Sequence, residues 1–382
     1  MKARVIALYL PQYHPIPEND KWWGKGFTEW NNVVRAKPLF KGHYQPHLPA
    51  DLGFYDLRLP EVREQQAELA REAGIEGFCY YHYWFGNGKQ LLERPFNEVL
   101  ASGKPDFPFC LCWANHDWTN KTWIKGKSTQ RDSMIMKMEY SMDDHIAHFN
   151  ALLPAFRDKR YITVDGKPLF AIYQPKAIPD VEKFIKLWQK MAKENGLSGI
   201  HFVGYTVNSS GRSVKGKKLS LWATDESAEH YKSILDLGFD ATISSGLSRA
   251  QSMCKGKLKM LLYFLLKNSF LPTSNICDYS EVMKHYYVKE DAWDSVYPTL
   301  LPQWDRTPRA GVATNPLINA TPEKFQITIE EALELIKDKT PEHQILFLKS
   351  WNEWGEGNYI EPDDKFGHGW LNAVKNALNK FK

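Results

Sequence analysis

Eight short apolar runs punctuate the chain, and most of them end in a cluster of aromatic and polar residues. The runs are Val5 to Leu10, Gly77 to Trp84, Phe107 to Trp113, Pro168 to Tyr173, Gly199 to Tyr205, Phe239 to Ile243, Tyr297 to Pro302 and Ile345 to Ser350. They are too short for helices and apolar on successive residues, the pattern of strands buried on both faces. Phe239 to Ile243 is the weakest of them. Between them lie helical stretches with apolar residues at 3.6-residue spacing: Leu59 to Ala73, Leu91 to Ala101, Asp143 to Arg157, Ile178 to Glu194, Thr321 to Lys337 and Trp370 to Phe381. Strands alternating with helices predict an α/β fold, a single (β/α)8 TIM barrel over residues 1–382 with long loops at its C-terminal rim. An open doubly wound sheet is the competing topology. Its phosphate-binding G-x-G-x-x-G is missing after the first run.

A barrel gathers its chemistry at the C-terminal ends of its strands. Six of the eight runs deliver polar and aromatic groups there: Tyr9, Gln12, Tyr13 and His14; His82, Tyr83 and Trp84; Trp113, Asn115 and His116; Tyr173; Trp304 and Asp305; and Trp351 through Glu356. The connection from Pro11 to about Phe54 is unusually long and carries Trp22, Trp23, Glu29 and Trp30, as functional loops do. The chain holds 14 Trp, many in polar or glycine-rich segments, which favours stacking on sugar rings over core filling alone. Trp22, Trp23 and Trp30 either cap the barrel or stack on substrate, and stacking by at least one is expected.

The last run carries the strongest signal. After Leu348 come two indoles, two glycines and, by Glu361, three carboxylates. Gly355 and Gly357 break the strand. Glu353 and Glu356 lie three residues apart, so one turn puts both on one side. Paired carboxylates at a strand end suit glycoside cleavage, one handling the leaving oxygen's proton and the other activating the attacking group. The plainer reading is a surface turn with solvated acids, but two tryptophans rarely flank such a turn.

Other groups bound the function. A net charge of +4 on 94 charged residues argues neither for nor against a polyanion partner, and no nucleic-acid partner is expected. No metal site is expected: no H-E-x-x-H spacing occurs, and His14, His82 and His116 read as hydroxyl-binding imidazoles. No cofactor is expected. His343 and His368 read as surface residues. Glu361 either binds a sugar or holds the rim. Asp305 is either a site residue or a partner for Arg306 or Arg309. The odd count of five cysteines reads as free thiols in a reducing compartment, and the Met1-Lys2-Ala3-Arg4 start shows no leader, so a cytoplasmic location is expected. Residues 255–266 join a basic stretch to the apolar run Met260 to Leu266. They read as a buried or subunit-contacting helix, or as a basic helix touching a membrane surface.

The motifs together resemble a known family. Leu8-Tyr9-Leu10-Pro11-Gln12-Tyr13-His14-Pro15, Gly26-Phe27-Thr28-Glu29-Trp30, Tyr81-His82-Tyr83-Trp84, Cys112-Trp113-Ala114-Asn115-His116 and Trp351-Asn352-Glu353-Trp354-Gly355-Glu356-Gly357 look like the WbsX-like family. That family is often labelled glycosyltransferase and is found in bacterial O-antigen and surface-polysaccharide gene clusters. The likeness runs from residue 5 to about 363. The family is similar in turn to glycoside hydrolase family 99, barrel enzymes that act on α-mannosides. By the match of Asn352, Glu353, Trp354 and Glu356 to its last-strand segment, the resemblance implies Glu353 as the base that draws the sugar's 2-hydroxyl proton. It implies Glu356 as the acid on the leaving oxygen. The expected substrate is an α-linked bacterial polysaccharide or O-antigen-type oligosaccharide, cleaved or transglycosylated. Two alternatives stand beside this: a glycosyltransferase of O-antigen or lipopolysaccharide biosynthesis, and a sugar-binding barrel without turnover. No D-x-D placed for a sugar nucleotide is seen. The sugar, the linkage and the oligomeric state are not legible.

Overall fold

The computed structural model describes residues 3–119, 134–206, 227–254, 276–311 and 314–381. Among them a parallel barrel is formed by β1 (Arg4–Tyr9), β2 (Gly77–Trp84), β3 (Phe109–Trp113), β4 (Lys167–Ile172), β5 (His201–Tyr205), β6 (Ala241–Ile243), β7 in two pieces (Val296–Tyr297 and Thr299–Leu300) and β8 (Ile345–Leu348). Neighbours follow chain order from β1 to β6, and β8 returns to pair with β1. Registers include Leu8 with Cys79, Leu111 with Phe170 and Val5 with Leu346.

Closure falls on β7. Its first piece pairs with β6, Thr242 against Val296, and its second with β8, Thr299 against Phe347. Pro298 lies between them and has no N–H for the ladder, so the strand breaks there and each half serves a different neighbour. Pro298 still accepts from the Phe347 N–H at 2.9 Å. The seventh run was expected as one strand to Pro302, and the proline explains the difference. The weak sixth run is a strand of three residues, fully buried between β5 and β7.

Helices cover the outer face, so the strands are buried on both sides and read as continuous apolar runs. Pro60–Glu72 begins with a proline in its first turn. Met142–Phe156 is capped by Ser141, whose hydroxyl accepts from the Asp144 N–H at 3.1 Å. Val181–Glu194 turns Trp188 inward against Phe170 of β4 and Phe202 of β5, at centroid distances of 5.0 and 6.1 Å. Pro322–Ile336 and Gly369–Lys380 pack together beside the β8–β1 seam. A second buried cluster, with Leu247, Tyr279, Tyr286 and Leu301, forms where the chain leaves the barrel between β6 and β7.

Cys79, Cys110 and Cys112 are buried free thiols. Residues 255–266 lie outside the described residues. No helix among the described residues is long and apolar enough to cross a membrane. His343 is not a plain surface residue: it joins Tyr297 at 3.1 Å to Asp165 at 2.9 Å.

Candidate active site

The turn after β8 is held from below. The Trp351 N–H donates to Leu8 O at 2.8 Å, and its indole packs on Phe78 at 5.1 Å. Asn352 clasps Leu10, accepting from its N–H at 2.8 Å and donating to its carbonyl at 3.0 Å. Tyr13 donates to the Asn352 carbonyl at 2.5 Å and accepts from the Trp354 N–H at 3.2 Å. With Asn352–Glu353 paired to Asn358–Tyr359, the segment has room only for the 3-10 turn Trp354–Glu356. That turn places Glu353 and Glu356 on one side. Gly357 closes it at φ +52°, where any Cβ would stand 2.9 Å from Asp305 Cβ.

Both glutamates open into a rim cavity of about 320 Å³. Its walls come from the ends of several strands: Gln12 after β1, Tyr81 and Tyr83 of β2, His116 and Asp117 after β3, Tyr173 after β4, and Lys349, Ser350 and Asn358 around the β8 turn. Trp23 and Trp118 add indoles, and Arg306 and Arg309 add cations.

One buried guanidinium organises the carboxylates. Arg309 donates from Nε to Glu29 at 2.7 Å, from Nη1 to Glu356 at 2.8 Å and from Nη2 to Glu353. Arg306 Nε pairs with Glu356 at 2.9 Å. Burial of charge is costly unless it is paired, and here one cation faces three acids. The outcome differs between them. Burial, with Glu356 and Glu29 nearby, pushes Glu353 up to about 7 despite Arg309. Burial works against ionisation of Glu356 too, but Arg306, Arg309 and Lys349 outweigh it and hold that group down at about 2. Burial also raises Glu29, against the pull of Arg309. Burial thus favours the proton on Glu353, and the neighbouring cations favour the charge on Glu356. This order is the reverse of the roles that the resemblance implies.

Of the residues singled out in the sequence, Gln12, Tyr83, His116, Tyr173, Glu353 and Glu356 meet at the cavity. Most of the others lie behind it. Trp84 and Trp113 do not reach the cavity: Trp113 donates to Trp84 O at 2.9 Å, and Trp84 donates to Asp144 and stacks on His148 at 4.6 Å. His82 faces His148 at 2.9 Å, and burial lowers its pKa to about 3. Tyr9 donates to Gln66 at 2.7 Å. Trp30 is buried and donates to Tyr55 O at 2.8 Å. Of the three loop tryptophans, Trp23 alone faces the cavity. His14 is buried away from it. Asn115 braces the Gln174 backbone at 2.7 and 2.9 Å.

Glu361 does not line the cavity. It holds the rim, accepting from Tyr55, Gln66 and Trp354 at 2.9, 2.6 and 2.6 Å, and burial raises it to about 7. Asp305 binds neither arginine. It accepts from Gln45 at 2.6 Å and meets His43 at 2.7 Å, which fixes the long first loop to the β7 exit. Trp304 lies under Lys349, whose Nζ stands 5.1 Å from its centroid.

The residues whose part was not foreseen are Arg309, Glu29 and Lys349. The signal for Arg309 was chemical: a cluster of buried acids demands a countercharge. Among the described residues, no group of three His, Cys, Asp or Glu is arranged to hold a metal ion.

Fold and site define a (β/α)8 barrel with a paired-glutamate cavity at its C-terminal rim. The chain belongs to the WbsX family: the family model described as Glycosyltransferase WbsX matches residues 5–374. It is 34% identical over 383 residues to WxcX of Xanthomonas campestris pv. campestris, an uncharacterized protein, and covers all of this chain. This chain spans 50% of that relative's length. Among solved structures it is similar to a GH99 endo-alpha-mannosidase of Bacteroides thetaiotaomicron, with TM-score 0.54, 16% identity, and coverage of 99% of this chain and 97% of that one. A structure described as a glycoside hydrolase-like protein matches at TM-score 0.57, 15% identity, and coverage of 99% and 94%.

Proposed function

We propose that the protein cleaves a glycosidic bond in an α-linked glycan of the bacterial surface-polysaccharide type, by hydrolysis or transglycosylation, with Glu353 and Glu356 as its acid–base pair. The observation that carries this is a pair of carboxyls, Glu353 and Glu356, held by one buried guanidinium in a rim cavity, with burial raising the first and the cations lowering the second. Such a split is how one site supplies a proton and a base at the same pH. The barrel fold shared with an endo-alpha-mannosidase and the family membership support the substrate class. The indole and phenol faces of Trp23, Trp118, Tyr81 and Tyr173 suit the C–H faces of pyranose rings.

In this reading Glu353 supplies the proton to the leaving oxygen. Glu356, kept ionised by Arg306 and Arg309, acts on the opposite side, as nucleophile or as base toward water or the 2-hydroxyl. His116 is lowered to about 4 by burial, so it enters as a neutral imidazole that binds hydroxyls.

The test is release of new reducing ends from α-linked mannans and O-polysaccharides. Wild type should release them, and Glu356→Gln should not. Sugar transfer from an activated donor without hydrolysis would replace this reading with a glycosyltransferase. Binding with no turnover in any assay would make the barrel a sugar-binding module.

A further inference from the structure

The cationic side of the cavity is only partly accounted for by the glutamate pair. Arg309 is taken up by Glu29, Glu353 and Glu356, and Arg306 by Glu356. The carboxylate of Asp117 accepts from the Met138 N–H at 2.7 Å. Lys349 is different. It follows β8 directly and lines the cavity. Its Nζ lies 5.5 Å from the Tyr205 ring and 5.1 Å from the Trp304 ring. Among the described residues it has no carboxylate within ion-pair distance. Cation–π contact leaves the ammonium's hydrogen bonds open.

Asn358 is the second observation. It lines the same cavity and is fully buried, yet both its Nδ2 and its Oδ1 lack a partner among the described residues. Buried amides are nearly always hydrogen-bonded, so this one calls for water or a polar ligand group at the cavity wall. It is tied to the residue after Lys349, for Ser350 donates to the Asn358 carbonyl from its N–H at 3.3 Å and its hydroxyl at 2.8 Å.

We infer that Lys349 and Asn358 form a subsite for an anionic substituent on the substrate sugar, such as the carboxylate of a uronic acid, with Lys349 as the specificity-determining charge. Phosphate on the sugar is also anionic and would be taken by the same groups. The inference rests on the glycan reading above.

Three ligands that differ only at C6 test it by calorimetric titration of wild type: methyl α-mannoside, its 6-carboxylate, and its 6-phosphate. At least one anion should bind roughly tenfold tighter than the neutral sugar, with the preference shrinking as salt rises. The better of the two anions identifies the substituent. Lys349→Met should erase the preference, and Lys349→Arg should keep most of it. Equal affinity for all three in wild type overturns this inference and leaves glycan cleavage standing. Binding of none overturns both. The wild-type comparison decides even if the variants misfold. A preference that survives Lys349→Met in folded protein moves the subsite elsewhere and also overturns it.

Discussion

Gly355 and Glu29 occupy space that one extra carbon would fill. A Cβ built at position 355 would stand 1.7 Å from Glu29 Oε1 and 2.9 Å from Arg309 Nε. Glu29 is fully buried and cannot retreat into solvent. The glycine is what admits a third carboxylate behind the pair. Gly355→Ala should therefore displace Glu29 and Arg309 together, costing about 1–3 kcal/mol in chemical denaturation. Glycan turnover should fall by more than tenfold, since Arg309 also positions both cavity glutamates. Wild-type stability and rate in this variant would show that the contact gives way freely.

Arg309 is expected to matter more to folding than a surface cation. Removing one partner of a buried charge cluster costs about 3–5 kcal/mol, because the other charges stay behind. In Arg309→Met, Glu29, Glu353 and Glu356 lose their common partner: the folded pKa values of Glu29 and Glu353 rise further above the unfolded ones, and Glu356 loses part of what holds it down. The sign follows from linkage: such groups contribute stability that is fully present below the unfolded carboxyl range and is lost as pH rises through the folded pKa. Arg309→Met should thus melt closest to wild type near pH 5 and fall furthest behind at pH 8. A deficit independent of pH would mean that packing, not charge, is what the arginine supplies.

The strands were legible because a sheet covered on both faces needs uninterrupted apolar runs, and Ile345 to Leu348 or Phe109 to Trp113 can be nothing else at that length. The rim was legible in the same way, as the place where those runs end. What the residues did not disclose is which polar and aromatic groups turn inward to the cavity and which brace the wall. Trp84 and Trp113 follow the same pattern as Tyr83 and His116, yet alternate side chains of one strand face opposite sides. Arg309 was hidden for another reason. It reaches Glu29 across 280 residues of sequence, and no local spacing encodes that contact.

The two kinds of tryptophan separate by measurement. Trp113 is wholly buried, and its indole N–H is committed to Trp84 O. Trp113→Phe should cost about 1–3 kcal/mol of stability through the lost hydrogen bond and the space left behind, with KM unchanged. Trp23→Ala, at the cavity wall, should do the reverse. Its stability should stay near wild type while KM rises roughly tenfold, as the loss of one stacking face implies. A raised KM in Trp113→Phe with intact stability would return that residue to the substrate.

The proton order within the glutamate pair gives the last prediction. With Glu353 at about 7, the fraction carrying a proton falls as pH rises through neutrality, so kcat/KM should decline on the alkaline side with an apparent pKa near 7. With Glu356 at about 2, the acid limb should lie far lower, and activity should persist as far down as the fold survives. Glu353 and Glu361 are both raised, so their contributions to stability are also lost through the same alkaline window, and rates must be taken well below the melting temperature. Leaving-group chemistry then identifies the acid. An aryl glycoside with a good leaving group needs no proton. Glu353→Gln should turn over that substrate at a rate near wild type while losing more than a hundredfold on natural glycans, the usual size of general-acid assistance being roughly 10²–10⁴. Glu356→Gln should be inactive on both, and its alkaline limb cannot be measured for that reason. The opposite pattern, rescue of Glu356→Gln alone, would mean that bound substrate draws Glu356 away from Arg306 and reverses the proton order argued above.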